Sequence, residues 1–209
     1  MHYAFDRWMS VTWPQKRWIR YADDGLIHCR TLQEAEHILE QLQHRMSECH
    51  LEVHPEKTRI VYCKDDNRSG DHEHTSFVFL GYAFRARTVR TRKGEYFTGF
   101  TPAVSKDAIK NLRAKINIYR KLTNLSITEL AQILNPIIRG WANYFYHYTP
   151  SVVYSVLSQV NLSLARWVMK KYRRFKRKLL AALRWLGTIA QSSPELFAHW
   201  KMGICPKGD

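Results

Sequence analysis

Two adjacent carboxylates, Asp23 and Asp24, are the residues of this chain whose type and position best suit chemistry. They end the segment Tyr21-Ala22-Asp23-Asp24, which lies between short apolar runs that begin at Trp18 and Leu26. This pattern predicts a β-hairpin with the acidic pair at its turn. Carboxylate oxygens there suit hard divalent cations, and phosphoryl-transfer enzymes use such pairs to hold two metal ions. The alternative is a solvated Asp-Asp-Gly turn, since the tetrapeptide alone is a weak motif.

Three further motifs follow the acidic hairpin. They are His54-Pro55-Glu56-Lys57-Thr58, Phe79-Leu80-Gly81-Tyr82 and Asn135-Pro136-Ile137-Ile138-Arg139-Gly140-Trp141-Ala142-Asn143-Tyr144-Phe145. With the hairpin, the first two resemble the palm of a group II intron reverse transcriptase, and the third resembles the signature of the maturase domain that follows the thumb. The resemblance covers almost the whole chain, and four motifs in family order are far more specific than any single one.

The resemblance implies a two-metal Mg²⁺ site at the hairpin. Asp23 and Asp24 would bind the metal ions, while Tyr21 and Ala22 would lie beneath the incoming nucleotide and the primer end. Reverse transcriptases of this type also use a third aspartate on an earlier palm strand, and no residue here replaces it. We therefore expect the chain alone not to polymerise. A complementing upstream fragment, whether a separate chain or part of a longer reading frame, would have to restore activity on an RNA template and a DNA primer.

Two other palm motifs acquire roles through the same resemblance. Lys57 would lie close to the incoming triphosphate, where a cation offsets charge or donates a proton. The primer grip would consist of Phe79, Leu80, Gly81 and Tyr82. From the residues alone, Lys57 is a surface lysine beside a turn, and the four grip residues form a buried strand.

Composition points independently to a polyanionic partner. The 209 residues include 33 Lys and Arg against 18 Asp and Glu, a formal net charge of +15. Nucleic acid is favoured over a membrane, because no stretch approaches the roughly 20 consecutive apolar residues of a spanning helix. The N-terminus also lacks the basic-then-apolar order of a signal peptide.

The strongest basic run has seven cations in nine residues and interleaves them with aromatic side chains. We expect it to be helical and to contact RNA phosphates, with Trp167, Tyr172 and Phe175 available to pack or stack. The alternative is a solvated helix whose aromatics are core. The candidate RNA-binding cations are Lys170, Lys171, Arg173, Arg174, Lys176, Arg177 and Lys178.

A second aromatic-rich segment lies in and after the maturase motif. Core packing is the favoured interpretation of its rings, which are Trp141, Tyr144, Phe145, Tyr146 and Tyr148. The candidate RNA-facing residues are Arg139, Asn143 and His147. In the family this region binds structured intron RNA and assists its splicing, while the RNA itself performs the transesterifications.

Cysteines and histidines offer weaker signals. Cys29, Cys49, Cys63 and Cys205 show no Cys-x-x-Cys spacing, so we expect reduced, buried thiols in a cytoplasmic protein. The segment Asp71-His72-Glu73-His74 follows a run of turn formers and is interpreted as a loop, with a metal site as the alternative. After Trp200 too few residues remain for a zinc-supported nuclease domain.

The predicted fold class is α+β, a partial palm of antiparallel sheet with a packed helix, followed by an all-helical thumb and maturase region. The boundary falls near residue 101, giving domains 1–100 and 101–209. Strands are expected at Leu51–Val53, Arg59–Cys63 and Phe77–Phe84, and a two-stranded ribbon at Thr88–Phe100. Helices are expected at Glu34–Glu48, Ser105–Leu122, Ser126–Arg139 and Ser151–Leu186.

Two hypotheses of function follow. The first is a truncated intron reverse transcriptase and maturase that binds group II intron RNA, assists splicing and carries half of a polymerase site. The second is a non-catalytic basic RNA-binding module or a decayed remnant. An open palm edge would also be an association site, so the oligomeric state is left open.

Overall fold

The computed structural model describes residues 1–67, 70, 72–91 and 93–208, and these confirm the α+β class. The strands are β1 (Trp18–Tyr21), β2 (Asp24–Ile27), β3 (Ser76–Phe79), β4 (Tyr82–Arg90) and β5 (Tyr96–Val104). The helices are α1 (Arg7–Thr12), α2 (Leu32–Glu48), α3 (Lys106–Tyr119), α4 (Ile127–Tyr146), α5 (Pro150–Lys171), α6 (Leu179–Ser192) and α7 (Ala198–Lys201). In this described part of the chain, no helix combines the length and apolarity that crossing a membrane requires.

Backbone contacts divide the chain into two compact units. The palm unit, as we name it, contains Met1–Phe79 and Arg85–Phe100. The helical unit contains Leu80–Phe84 and Thr101–Asp209.

The palm unit packs its long helix against the acidic hairpin. β1 and β2 are antiparallel, and Tyr21 pairs with Asp24 at the turn. The predicted helix α2 is confirmed and begins at Thr31, whose hydroxyl accepts the Glu34 N–H at 3.2 Å. Such a cap satisfies one of the unpaired N–H groups of the first turn. The apolar cluster that joins helix and hairpin contains buried Ala4, Phe5, Met9 and Met46, with Trp18, Ile27 and Leu42 packed against them.

The strands predicted at Leu51–Val53 and Arg59–Cys63 are wrong, because both segments are irregular. Arg59–Cys63 has irregular backbone although the Tyr62 N–H donates to the His74 carbonyl at 2.8 Å. A strand requires a continuous ladder of such bonds, and β-forming residues do not supply a partner by themselves.

The strand predicted at Phe77–Phe84 is two strands joined by a tight turn. Leu80 and Gly81 both have left-handed backbones, with φ of 49° and 78°. Positive φ at both central residues is the property of the type I′ hairpin turn, which reverses the chain between β3 and β4. The predicted ribbon is confirmed, with longer strands, and the three strands form one sheet in the order β3-β4-β5.

The helical unit is built from capped helices around an apolar core. The Ser105 hydroxyl accepts the Ala108 N–H at 3.1 Å where α3 begins. Ser126 and Glu129 form a capping box at the start of α4. The largest fully buried side chains include Leu134, Ile138, Leu157, Leu164, Trp167, Leu186, Phe197 and Trp200. The core is therefore contributed mainly by α4, α5, α6 and the C-terminal segment, and α3 adds Leu112 and Ile116.

Three helix boundaries differ from the prediction, and the first is the end of α3 at Tyr119 instead of Leu122. α4 continues beyond Arg139 to Tyr146, because Pro136 is accommodated within it and Ala142 and Phe145 add buried contacts. The helix predicted at Ser151–Leu186 instead breaks at Tyr172, where a 3₁₀ turn at Arg173–Phe175 precedes α6. A continuous helix would stack like charges three and four residues apart, which is destabilising.

Buried hydrogen bonds of the Asn161 side chain hold the C-terminal segment in place. The Asn161 side chain donates to the Ile204 carbonyl at 3.0 Å and accepts the indole N–H of Trp200 at 2.9 Å. His199 bonds the same amide oxygen at 2.7 Å, and burial lowers the pKa of His199 to about 3. The imidazole is therefore neutral near pH 7 and donates the hydrogen bond.

Candidate functional sites

The acidic turn is fully open to solvent. Tyr21, Ala22, Asp23 and Asp24 are all exposed at the tip of the β1–β2 hairpin. Ala22 has a φ of 53°, a left-handed conformation that costs a non-glycine residue about 1 kcal/mol or more. Some interaction must offset that strain, because an isolated hairpin is at best marginally stable.

Arg20 supplies that interaction. Its guanidinium donates from Nε and Nη2 to the two carboxylate oxygens of Asp6, each at 2.6 Å, and from Nη1 to the Ala22 carbonyl at 2.6 Å. The bidentate pair lowers the pKa of Asp6 to about 2. Because this pKa lies below the unfolded value, the pair stabilises the fold above about pH 4 and is lost as the pH falls toward 2.

The role of Arg20 was not predicted from the sequence. Its partner Asp6 lies 14 positions away, at the end of a π-helical turn (His2–Asp6). Both oxygens of the Asp6 carboxylate therefore accept hydrogen bonds from Arg20 on β1. In the sequence, the feature that could have indicated this role is the position of Arg20 directly before the acidic motif.

The metal site implied by the resemblance has two carboxylates at the turn. Exposed Asp23 and Asp24 have the oxygen chemistry that Mg²⁺ prefers. Among residues 1–67, 70, 72–91 and 93–208, no three His, Cys, Asp or Glu side chains are grouped so as to hold a metal ion. Lys57 is exposed in the turn after His54, and its role near a triphosphate stays a prediction.

The other titratable clusters have ordinary surroundings. His72 stacks on Tyr62 with ring centroids 3.9 Å apart, and His72, Glu73 and His74 lie in irregular backbone. Asp71 of that segment lies outside the described residues. The four cysteines are free thiols and half-buried, not buried as expected. Their cytoplasmic interpretation stays a prediction.

The turn after Phe79 is attached to α4. The Tyr144 hydroxyl donates to the Leu80 carbonyl at 2.9 Å, and the Tyr82 hydroxyl donates to the Tyr144 carbonyl. The Tyr82 ring contacts Phe145 edge to face, with centroids 5.0 Å apart. Tyr82 is buried, which raises the pKa of its hydroxyl. The primer-grip role of Phe79, Leu80, Gly81 and Tyr82 stays a prediction, but Leu80 and Tyr82 are bonded to Tyr144 of α4.

Two features of the structure favour glycine at position 81. Its φ is positive, and a Cβ built there would lie 3.3 Å from Cζ of Phe145. The group that closely approaches Gly81 is therefore an aromatic ring of α4. The turn and α4 therefore share one packed contact.

One face of α4 presents the polar candidates together. Arg139, Asn143 and His147 are exposed and recur every four residues, so they share a face at the C-terminal half of the helix. Core packing of the aromatic segment is correct for buried Phe145 and half-buried Trp141. It is wrong for Tyr144, Tyr146 and Tyr148, which are 49%, 43% and 59% exposed. These rings add stacking surface beside the polar face.

The basic run lies at the junction of α5 and α6 rather than on a continuous helix. Only Lys170 and Lys171 are helical, and Arg177 has a left-handed φ of 62°. The Arg174 guanidinium lies over the rings of Phe175 and Trp185, at 4.7 and 5.9 Å from their centroids. The exposed cations of this junction are Lys170, Arg173, Arg174, Lys176, Arg177 and Lys178.

Trp167 and Lys171 are structural anchors. Trp167 is 1% exposed and donates its indole N–H to the Leu122 carbonyl at 2.9 Å, so of the two roles expected for it, packing or stacking, the structure shows packing. The Lys171 ammonium donates to the carbonyls of Thr123 and Leu125 at 2.9 and 2.7 Å. Both side chains fix the loop between α3 and α4. A direct contact of Lys171 with RNA stays a prediction and would compete with these bonds.

Comparison with known families gives two matches. Residues 1–84 match the family described as reverse transcriptase (RNA-dependent DNA polymerase). Residues 109–185 match the family described as group II intron, maturase-specific domain. Together the matches cover 161 of the 209 residues, in the order that the motifs indicate. No curated protein matches the chain.

Two glycine substitutions test the packing of the turn on α4. Gly81→Ala should destabilise the chain by about 1–2 kcal/mol, because the new Cβ forces a strained backbone against Phe145. Gly140→Ala is the matched control: it lies within α4, and its Cβ would meet nothing within 4 Å. Replacing a helical glycine there should stabilise by about 1 kcal/mol. Urea unfolding followed by circular dichroism measures both, and equal midpoints would contradict this packing.

Proposed function

Because this chain belongs to the reverse transcriptases and maturases encoded by group II introns, in the part from the end of the palm to the maturase domain, we propose that it binds group II intron RNA and assists its splicing. In this proposal residues 1–100 are the end of the palm and residues 101–209 the thumb and maturase region. The RNA-binding surface is the exposed face of α4 and the α5–α6 junction.

The distribution of charge carries the proposal. Residues 101–209 contain 18 Lys and Arg against 4 Asp and Glu, a net charge of +14. Residues 1–100 contain 15 against 14, a net charge of +1. Nearly all of the net positive charge, +14 of +15, therefore belongs to the part that contains the maturase match. Charge of one sign collected on one unit attracts a polyanion and supplies most of its salt-dependent affinity.

The α5–α6 junction is the part of this surface best suited to phosphates. Six exposed cations cluster within nine residues, and stacking of Arg174 on Phe175 and Trp185 holds one guanidinium in place. A guanidinium whose orientation is already restricted loses less entropy when it contacts a phosphate. The face of α4 adds an arginine, an amide, an imidazole and exposed tyrosine rings, which suit unpaired bases.

A salt series tests the phosphate contacts of the junction. The double variant Lys176→Gln, Lys178→Gln should lower the slope of log affinity against log salt by about 1.4–1.8, since each lost contact removes about 0.7–0.9. The control Arg59→Gln, Lys64→Gln removes the same charge from exposed positions of the palm unit and should leave the slope unchanged. An equal effect of both pairs would indicate attraction by net charge alone.

Specificity requires a separate comparison. The ligand is a structured group II intron RNA, and the reference is a scrambled RNA of equal length. The proposal expects a preference for the intron that persists as salt rises. Equal affinity for the two RNAs would contradict maturase-type binding and leave a basic protein that binds any polyanion.

We also propose that the polymerase site is incomplete in this chain alone. Reverse transcriptases generally use Mg²⁺, and Asp23 and Asp24 would supply oxygen ligands for it. When bound, the metal would stabilise charge on the transferring phosphate oxygens. A third ligand, from an upstream fragment, would have to complete the site before an RNA template and a DNA primer could be used.

Primer extension measures this second proposal. The purified 209-residue chain, given an RNA template, a DNA primer and Mg²⁺, should incorporate no more nucleotide than its Asp23→Ala variant. Two exposed carboxylates hold metal ions too loosely to position the reacting groups. Incorporation by the parent chain that Asp23→Ala abolishes would contradict the proposal.

A further inference from the structure

A cleft between α3 and α5 lies apart from the surfaces assigned above. Its volume is about 320 Å³, at the lower end of the roughly 300–1,000 Å³ of sites that enclose small ligands. Its floor is apolar and is formed by Leu112, Ile116, Val156 and Val160, which are all buried. A flat apolar group entering the cleft would cover the small apolar surface that these side chains leave accessible, which is favourable.

The walls of the cleft are polar and lack negative charge. Arg113 and Asn117 are one turn apart on α3, and Gln159, Ser163 and Arg166 follow at successive turns of α5. No carboxylate lines the cleft among the described residues. Within the same residues, neither arginine forms an ion pair, although both are exposed. The cleft thus combines two unneutralised guanidinium groups with two amides above an apolar floor.

We propose that this cleft binds one unpaired nucleotide of the RNA, with its base on the apolar floor and its phosphate between Arg113 and Arg166. Asn117 and Gln159 each carry a donor and an acceptor, as the hydrogen-bonding edge of a base requires. Guanidinium groups match phosphate oxygens in shape and charge. Sequence-specific RNA recognition uses unstacked bases held in this way. The inference rests on the proposed function, since it takes RNA as the partner.

An acidic protein segment is the competing occupant. Its carboxylates would satisfy Arg113 and Arg166 but would leave the paired amides and the apolar floor without a complementary group. A nucleotide uses all three features, because it joins a flat ring, a hydrogen-bonding edge and an anion in one unit.

Photo-crosslinking locates the nucleotide. The full chain is irradiated with a short single-stranded oligoribonucleotide that contains 4-thiouridine, and the crosslinked peptides are identified by mass spectrometry. The proposal expects crosslinks in the peptides of α3 and α5 that line the cleft. Crosslinks confined to residues 139–148 and 170–178, or full competition by poly-glutamate, would overturn it.

Substitutions separate base contacts from charge. Asn117→Leu and Gln159→Leu should each weaken oligoribonucleotide binding about fivefold to tenfold without changing the salt slope, because they remove hydrogen bonds and no charge. Arg113→Gln with Arg166→Gln should lower the slope by about 0.7, because the two arginines share one phosphate. Circular dichroism verifies that each variant is folded. If a leucine variant does not fold, the salt slope of the Arg113→Gln, Arg166→Gln double variant tests the proposal instead.

Two positions on α3 provide matched controls. Asn111→Leu and Lys115→Gln remove an amide and a cation from exposed residues that do not line the cleft. Both should leave binding at the parent value, and losses equal to those of the cleft variants would overturn the proposal. Failure of the intron preference would contradict the proposed function instead, because the crosslink position in a short oligoribonucleotide is read independently of that preference.

Discussion

The arrangement of the helical unit depends on keeping charged side chains out of its apolar core. Its buried polar residues are Ser105, Asn161 and His199, so every described Lys and Arg remains outside the core. Residues 101–209 contain 18 Lys and Arg side chains. Among the described residues, the ion pair that these cations form joins Lys201 Nζ to Glu195 Oε2 at 2.9 Å. Self-repulsion of this surface opposes the compact state. A bound polyanion would reverse that penalty, which is consistent with the RNA partner that we propose.

Part of the repulsion is relieved locally. Carbonyl groups of the α3–α4 loop accept the Lys171 ammonium, and the rings of Phe175 and Trp185 lie beneath Arg174. In the palm unit Arg20 acts similarly, because it joins Asp6 to the strained turn at Ala22. In each case the contacts of a cationic side chain hold a loop in one conformation. The remaining cations of the junction are exposed and available to a ligand.

Local chemistry made much of this fold predictable. The hairpin at Asp23, the cap at Ser105 and the capping box at Ser126 depend on neighbouring residues, and all are present. The strand at Arg59–Cys63 failed because a strand depends on a partner that the segment does not specify. The break at Tyr172 depends on packing against Trp185 of the next helix, with centroids 5.4 Å apart. The cleft between α3 and α5 required the tertiary structure, since its walls lie about 40 positions apart.

Hydrogen exchange of the full chain, free and bound to intron RNA, tests the location of the RNA-binding surface most directly. The account predicts that binding slows exchange at the C-terminal half of α4 and at residues 170–178. The helix interiors, already buried in the free chain, should change little. Protection confined to residues 1–79, or spread evenly along the chain, would contradict the assignment of RNA binding to the helical unit.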